Sequence, residues 1–114
     1  MDELGLPISE YDELRKILDS EKEFLDQIGG AGLDMSIRGL SSYEINTHYD
    51  ILFEAYNNGL GLLLRLNELE NYRRTKNYEN VSSSIKQVLG LVSARLNGML
   101  EESIKRAFEG DPVL

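Results

Sequence analysis

The chain contains no cysteine and no tryptophan, one histidine and two prolines in 114 residues. Without cysteine there is no disulfide framework, no thiol nucleophile, no thiolate zinc site and no thiol redox switch. A catalytic zinc normally takes three protein ligands, and His48 has no second histidine to join it. Carboxylate di-metal bundles use Glu-x-x-His; the chain has Glu44-x-x-x-His48 instead, once. No apolar run approaches the roughly 20 residues of a membrane helix, and the longest lies around Leu62, Leu63 and Leu64. The start, Met1-Asp2-Glu3-Leu4, lacks the basic and apolar pattern of a signal peptide, so the expected compartment is the cytoplasm. On that reading the sequon Asn80-Val81-Ser82 is accidental.

Positive charge is scarce as well. Twelve Lys and Arg stand against twenty Asp and Glu, for a net charge of −8 and a pI of about 4.6. Such a surface repels phosphate backbones and anionic lipid, which disfavours direct nucleic-acid and membrane binding. It suits solubility, and it suits a basic or nucleic-acid-binding protein as partner. Length allows one domain, residues 1–114, burying roughly 65% of its unfolded surface. A hydrophobic share of 41% argues against global disorder.

What is present is helical periodicity. Val81, Ile85, Val88, Leu89, Val92, Leu96, Met99, Leu100, Ile104, Ala107 and Phe108 recur at steps of three and four. This predicts a helix from about 81 to 109, closed by Gly110. Ser41 or Ser42 with Glu44 fits a capping box. From there Ile45, Tyr49, Leu52, Tyr56, Leu60, Leu63 and Leu66 hold one helical phase across Asn57-Asn58-Gly59, which predicts a single helix over 42–75. The alternative is a break at Asn57–Gly59 and a four-helix bundle. A first helix is predicted over 10–28. Ser9 is its expected N-cap, Asp12 completes the capping box, and Tyr11, Leu14, Leu18, Leu25 and Ile28 form a stripe widened by Ile17 and Phe24. Residues 29–40, with four glycines, read as a loop, either a flexible connector or a partner-binding segment. The expected fold is all-α: a long antiparallel hairpin with a shorter amino-terminal helix across it, a three-helix bundle.

A hairpin turn centred near Tyr78 would set Gly59 beside Gly98, Leu63 beside Ala94 and Asn67 beside Gly90. Ala55 and Gly59 on one helix, with Gly90, Ala94 and Gly98 on the other, are small-residue rows that suggest a close crossing. The first helix falls short of both long ones, and apolar surface left open would favour a homodimer.

Catalytic, cofactor and metal sites are expected to be absent. Asp50 and Glu54 share a helix face but read as solvated. The glycine stretch lacks the Lys and hydroxyl residue of a phosphate loop. Residues 1–28 hold nine acidic and three basic residues; residues 61–80 hold three and four. The acidic helix and the basic tip could pair within one molecule or between subunits. Candidate partner contacts are Glu10, Asp12, Glu13, Asp19 and Glu23 on the first helix, and Met35 and Ile37 in the loop. Tyr72, Arg73, Arg74, Lys76 and Tyr78 complete the set at the tip, where the basic residues can equally serve a helix end. The expected function is a non-catalytic protein-interaction module: a regulator, inhibitor or adaptor. The alternatives are a structural or assembly subunit of a homo-oligomer, or a small-ligand protein or enzyme with a pocket holding Glu44 and His48.

Overall fold

The computed structural model describes residues 5–30 and 32–110. Three helices, α1 (Ile8–Gly29), α2 (Ser42–Asn67) and α3 (Lys76–Phe108), are joined through two 3-10 turns at Ile37–Gly39 and Tyr72–Arg74. The described residues form an all-α, three-helix bundle, elongated at 62 × 19 × 18 Å.

The start of α1 departs from expectation. Pro7, not Ser9, is the N-cap, and no side chain caps the helix. Proline already holds φ in the helical range, and the Pro7 carbonyl accepts the Tyr11 N–H at 3.0 Å, so helical bonding begins two residues early. The end at Gly29 is as read. Ile17 and Phe24 occupy the centre of the buried face with Leu14 and Ile28, whereas Tyr11 and Leu25 are exposed.

The α2 start keeps the expected capping box. Ser41 Oγ accepts the Glu44 N–H at 3.0 Å, and the Glu44 carboxylate accepts the Ser41 N–H at 2.9 Å. The helix runs unbroken through Gly59, which rules out the four-helix alternative. It stops at Asn67, however, rather than Thr75. Leu66, Leu69 and Tyr72 are all buried and lie three residues apart. At 3.6 residues per turn each such step would rotate about 60° off the core, so the backbone tightens to keep all three inside. Thr75 then caps α3, its Oγ1 accepting the Tyr78 N–H at 3.1 Å, and α3 begins at Lys76 instead of 81.

The earlier turn changes the hairpin register. Arg106 Nη1 reaches Ser42 Oγ at 3.2 Å, and a Cβ placed on Gly59 would meet Leu89 Cδ2 at 2.6 Å. Facing numbers therefore sum to about 148, not 157. The expected crossing of Gly59 with Gly98 does not occur. Gly59 is instead packed by Leu89 and the Phe24 ring, and Ala55 is buried near it in sequence. A Cβ placed on Gly98 would meet Ile37 Cδ1 at 2.9 Å, while Gly90 and Ala94 face solvent.

Helix α1 lies antiparallel on one side of α2, with Glu13 against Arg65, Gln27 against Asn58 and Phe24 against Gly59. Beyond its end the glycine-rich segment takes over as the third layer. The Gly32 carbonyl, at a residue with φ of +64°, accepts from Arg95 Nη2 at 3.3 Å. Leu40 is buried, and Arg106 Nη2 donates to the carbonyls of Leu40 at 2.8 Å and Arg38 at 3.5 Å. The segment is a strap docked along α3.

Candidate functional site

With α1 and the strap on one side, the other side of the α2–α3 hairpin is uncovered. On α2 the residues Tyr49, Phe53, Tyr56, Leu60, Leu63 and Leu64 recur at steps of three and four. At 100° per residue they point away from Arg65 and Asn58, which contact α1. On α3 the same geometry puts Lys86, Ser93, Leu100 and Ile104 opposite Arg95 and Gly98, which contact the strap. The two rows meet in a groove of about 400 Å³ lined by Leu60, Leu63, Leu64, Asn67, Tyr78 and Lys86.

This face is apolar where it is open to water. Leu64 is 67% exposed, Ile104 55%, Phe53 49%, Leu100 44% and Leu60 39%. Isolated exposed leucines are ordinary, but three such residues on one face of α2 with two more on the neighbouring face of α3 are not. Tyr49 and Phe53 stack at 6.0 Å and 13°, which stiffens one end of it. Charge avoids the same region. Residues 55–67 and 80–100 contain no Asp or Glu, although the chain carries twenty. Lys86 is the one charged side chain within the face, and Glu101 stands between its rim and the strap, lining a cleft with Ile37, Arg38 and Gly98.

Of the candidate contact residues Tyr78 lines this groove; the others fall elsewhere and do not converge. Tyr72 is 0% exposed and belongs to the core. Its hydroxyl donates to Asn77 Oδ1, its ring meets Tyr78 edge-on at 5.8 Å, and burial with the nearby Glu21 charge pushes its pKa up to about 12. A buried aromatic beside a turn is indistinguishable by spacing from an exposed one, so Tyr72 is a core residue and not the contact residue its spacing suggests. Tyr78 is half-buried and lines the groove. Arg73, Arg74 and Lys76 are exposed at the hairpin tip.

The α1 acids partly serve the fold. Glu10 accepts the Asn71 side-chain amide and the backbone N–H groups of Asn71 and Tyr72, at 3.1 and 3.3 Å. Desolvation acts to raise its pKa, but those three bonds prevail and hold it below 4.5. The Arg65 guanidinium, 2.9 Å from Glu13, lowers that carboxyl too. Neither acid engages Arg73, Arg74 or Lys76 in these contacts; the internal pairing runs to Arg65 and to the turn backbone. Asp12, Asp19 and Glu23 are exposed, the last lining a cleft of about 540 Å³ between α1 and α2. Burial raises Glu21. Met35 is exposed, while Ile37 is spent on Gly98.

Glu44 and His48 are engaged in different places. The Glu44 carboxylate turns back to the Ser41 N–H, which depresses its pKa; His48 lies half-buried beside Gly32 with Nδ1 unpartnered. Among the described residues no group of three or more His, Asp or Glu is placed to hold a metal, and no helix is long and apolar enough to cross a membrane.

Comparison with known proteins finds no matching family model, no matching curated protein and no matching solved structure. The exposed row Phe53, Leu60, Leu64, Leu100 and Ile104 is the feature that single-stripe reading missed. The signal was in α2, whose large apolar residues populate two faces at once.

Proposed function

We propose that the chain is a non-catalytic protein-interaction module that works through the uncovered face of the α2–α3 hairpin. One observation supports this above the others: an apolar, nearly charge-free face runs along two helices of a chain whose net charge is −8. Helical faces of this kind dock against other apolar helical surfaces by burying area rather than by pairing charge. The exposed carboxylates of α1 lie on the other side, so they keep the module soluble and steer approach without entering the contact.

The test is site-specific photo-crosslinking in cell lysate at low and high salt. A photoreactive residue at Leu64 is expected to give discrete protein adducts, and one at Asp12 is not. Adduct yield at Leu64 should persist in high salt, because apolar contact is not screened. Adducts confined to Asp12 and lost in salt would instead place the function on the acidic helix, with a basic partner.

A further inference from the structure

The uncovered face is self-complementary, and we propose that its occupant is a second copy of this chain, packed face to face in a two-fold dimer. The inference rests on the interaction reading above and names its partner.

Size supports it first. From Tyr78 to Ile104 the face is about 39 Å long at 1.5 Å per residue. Across a bundle 19 Å wide this gives about 740 Å² of projected area, against about 800 Å² per partner in a standard interface. Charge supports it second. Two copies at −8 each repel wherever carboxylates meet, and the stretches 55–67 and 80–100 keep carboxylates off much of this face, with Asp50 and Glu54 beside its α2 part and Glu101 at its α3 rim. A basic partner would be drawn to α1 instead.

The charges also select an orientation. Stacking the copies with helices running alike would set Lys86 over the Leu62–Leu63 level of α2, where no carboxylate stands. Stacking them antiparallel, with the two-fold axis crossing between Ser93 and Ala94, puts Lys86 level with Glu101 of the partner subunit. Each lies about 11 Å along α3 from that axis. Neither side chain is in an ion pair among those of the described residues. The same axis sets Phe53 against Tyr56 of the partner subunit and Leu60 against Tyr49 of the partner subunit, while Leu63 falls level with Asn46 of the partner subunit and Leu100 with Gln87 of the partner subunit. At the centre, Ser93 and Ala94 are small enough for α3 to approach its copy closely.

Analytical ultracentrifugation of the full chain tests this. The expected mass is twice 12.9 kDa at micromolar concentration. Leu60→Glu should raise the dimer Kd at least about 100-fold, because it buries two unpaired carboxylates per dimer. Leu60 is surface-exposed, so far-ultraviolet circular dichroism should stay helical. Lys86→Glu and Glu101→Lys should each weaken the dimer by about tenfold, and K86E/E101K should recover most of that loss. A wild-type chain that stays monomeric at about 100 times the micromolar range overturns the proposal. A dimer indifferent to Leu60→Glu, or a double charge swap no better than the singles, also overturns it. If the chain is monomeric while Leu64 crosslinks to a different protein, the dimer is refuted and the interaction reading survives; if it is monomeric and Leu64 gives no adduct, both fall.

Discussion

Alanine at four glycines in α2 and α3 isolates close packing from helix propensity. In a helix interior Gly→Ala gains roughly 1 kcal/mol wherever the new methyl is unopposed. At Gly61 and Gly90 the added Cβ meets nothing within 4 Å, so each variant should be stabilised by about 0.5–1 kcal/mol. At Gly98 the Cβ would stand 2.9 Å from Ile37 Cδ1, the free end of a flexible side chain that can turn aside. There the gain and the adjustment should nearly cancel. At Gly59 the Cβ would meet Leu89 Cδ2 at 2.6 Å and two Phe24 ring atoms at 2.8 and 2.9 Å. Phe24 is buried, and its ring is held between α1 and α2. Relief requires moving a whole helix or forcing an off-rotamer ring. Overpacking of this kind costs about 1–3 kcal/mol, occasionally more, so Gly59→Ala should be destabilised by about 1–2 kcal/mol after the propensity gain is subtracted. Urea denaturation with a common m-value gives the differences directly, and thermal melts should separate Gly59→Ala from Gly61→Ala by roughly 5–15 °C. A Gly59→Ala variant as stable as Gly61→Ala would refute both the α2–α3 register and the seat of α1.

Other consequences are independent of that one. Arg106→Met should cost about 1–2 kcal/mol by stranding the Leu40 carbonyl, and amide exchange should rise in the strap and at the α2 start while the rest of the bundle stays protected. Ser41→Ala should cost about 1 kcal/mol through loss of the capping box, and Glu44 should titrate closer to its ordinary 4.5 by carboxyl NMR. Glu10, Glu13 and Glu44 all have folded pKa values below the ordinary 4.5, so their stabilisation is present above that pH and is lost as pH falls through the folded values. Glu10→Gln should therefore lower Tm near neutrality and converge on the wild type in acid; a constant gap at all pH values would refute the Glu10 cap on the turn. Tyr72→Phe should remove a phenolate absorbance step with a midpoint near 12.

Local chemistry carried much of the fold. The Ser41–Glu44 cap, the arrest at Gly29 and the α3 stripe depend on neighbours within one or two turns, and spacing reports them. The α2 end did not follow, because what stops the helix is distant in sequence. Glu10 takes the N–H groups of Asn71 and Tyr72, and the core admits Leu69 and Tyr72 at three-residue steps. The hairpin register then inherited the displaced turn, so Gly98 was assigned to α2 when it serves Ile37. The strap was illegible for a related reason. Its hold comes from Arg95 and Arg106 donating to backbone carbonyls, a bond that leaves no pattern in the acceptor's sequence.

Open apolar surface is expected from helix lengths alone, but which residues form it is obscured because hydropathy weights size. In α2 the centre of the buried face is occupied by Ala55 and Gly59, flanked by Leu52, Leu62 and Leu66. The larger Tyr49, Tyr56, Leu60 and Leu63 sit to one side, half-buried or exposed, yet they dominate the apparent stripe. A helix needs only one face to join a bundle. In α2 the small residues satisfy that need by letting Phe24 and Leu89 close over them. Phe53, Leu60 and Leu64 are then left exposed, while Tyr49, Tyr56 and Leu63 pack on the core from its edge. A surface shaped only for solubility would place charge there, as α1 does with Asp12, Asp19 and Glu23. Folding does not require a second apolar face, and solubility opposes one, which is the physical support for the contact surface proposed above.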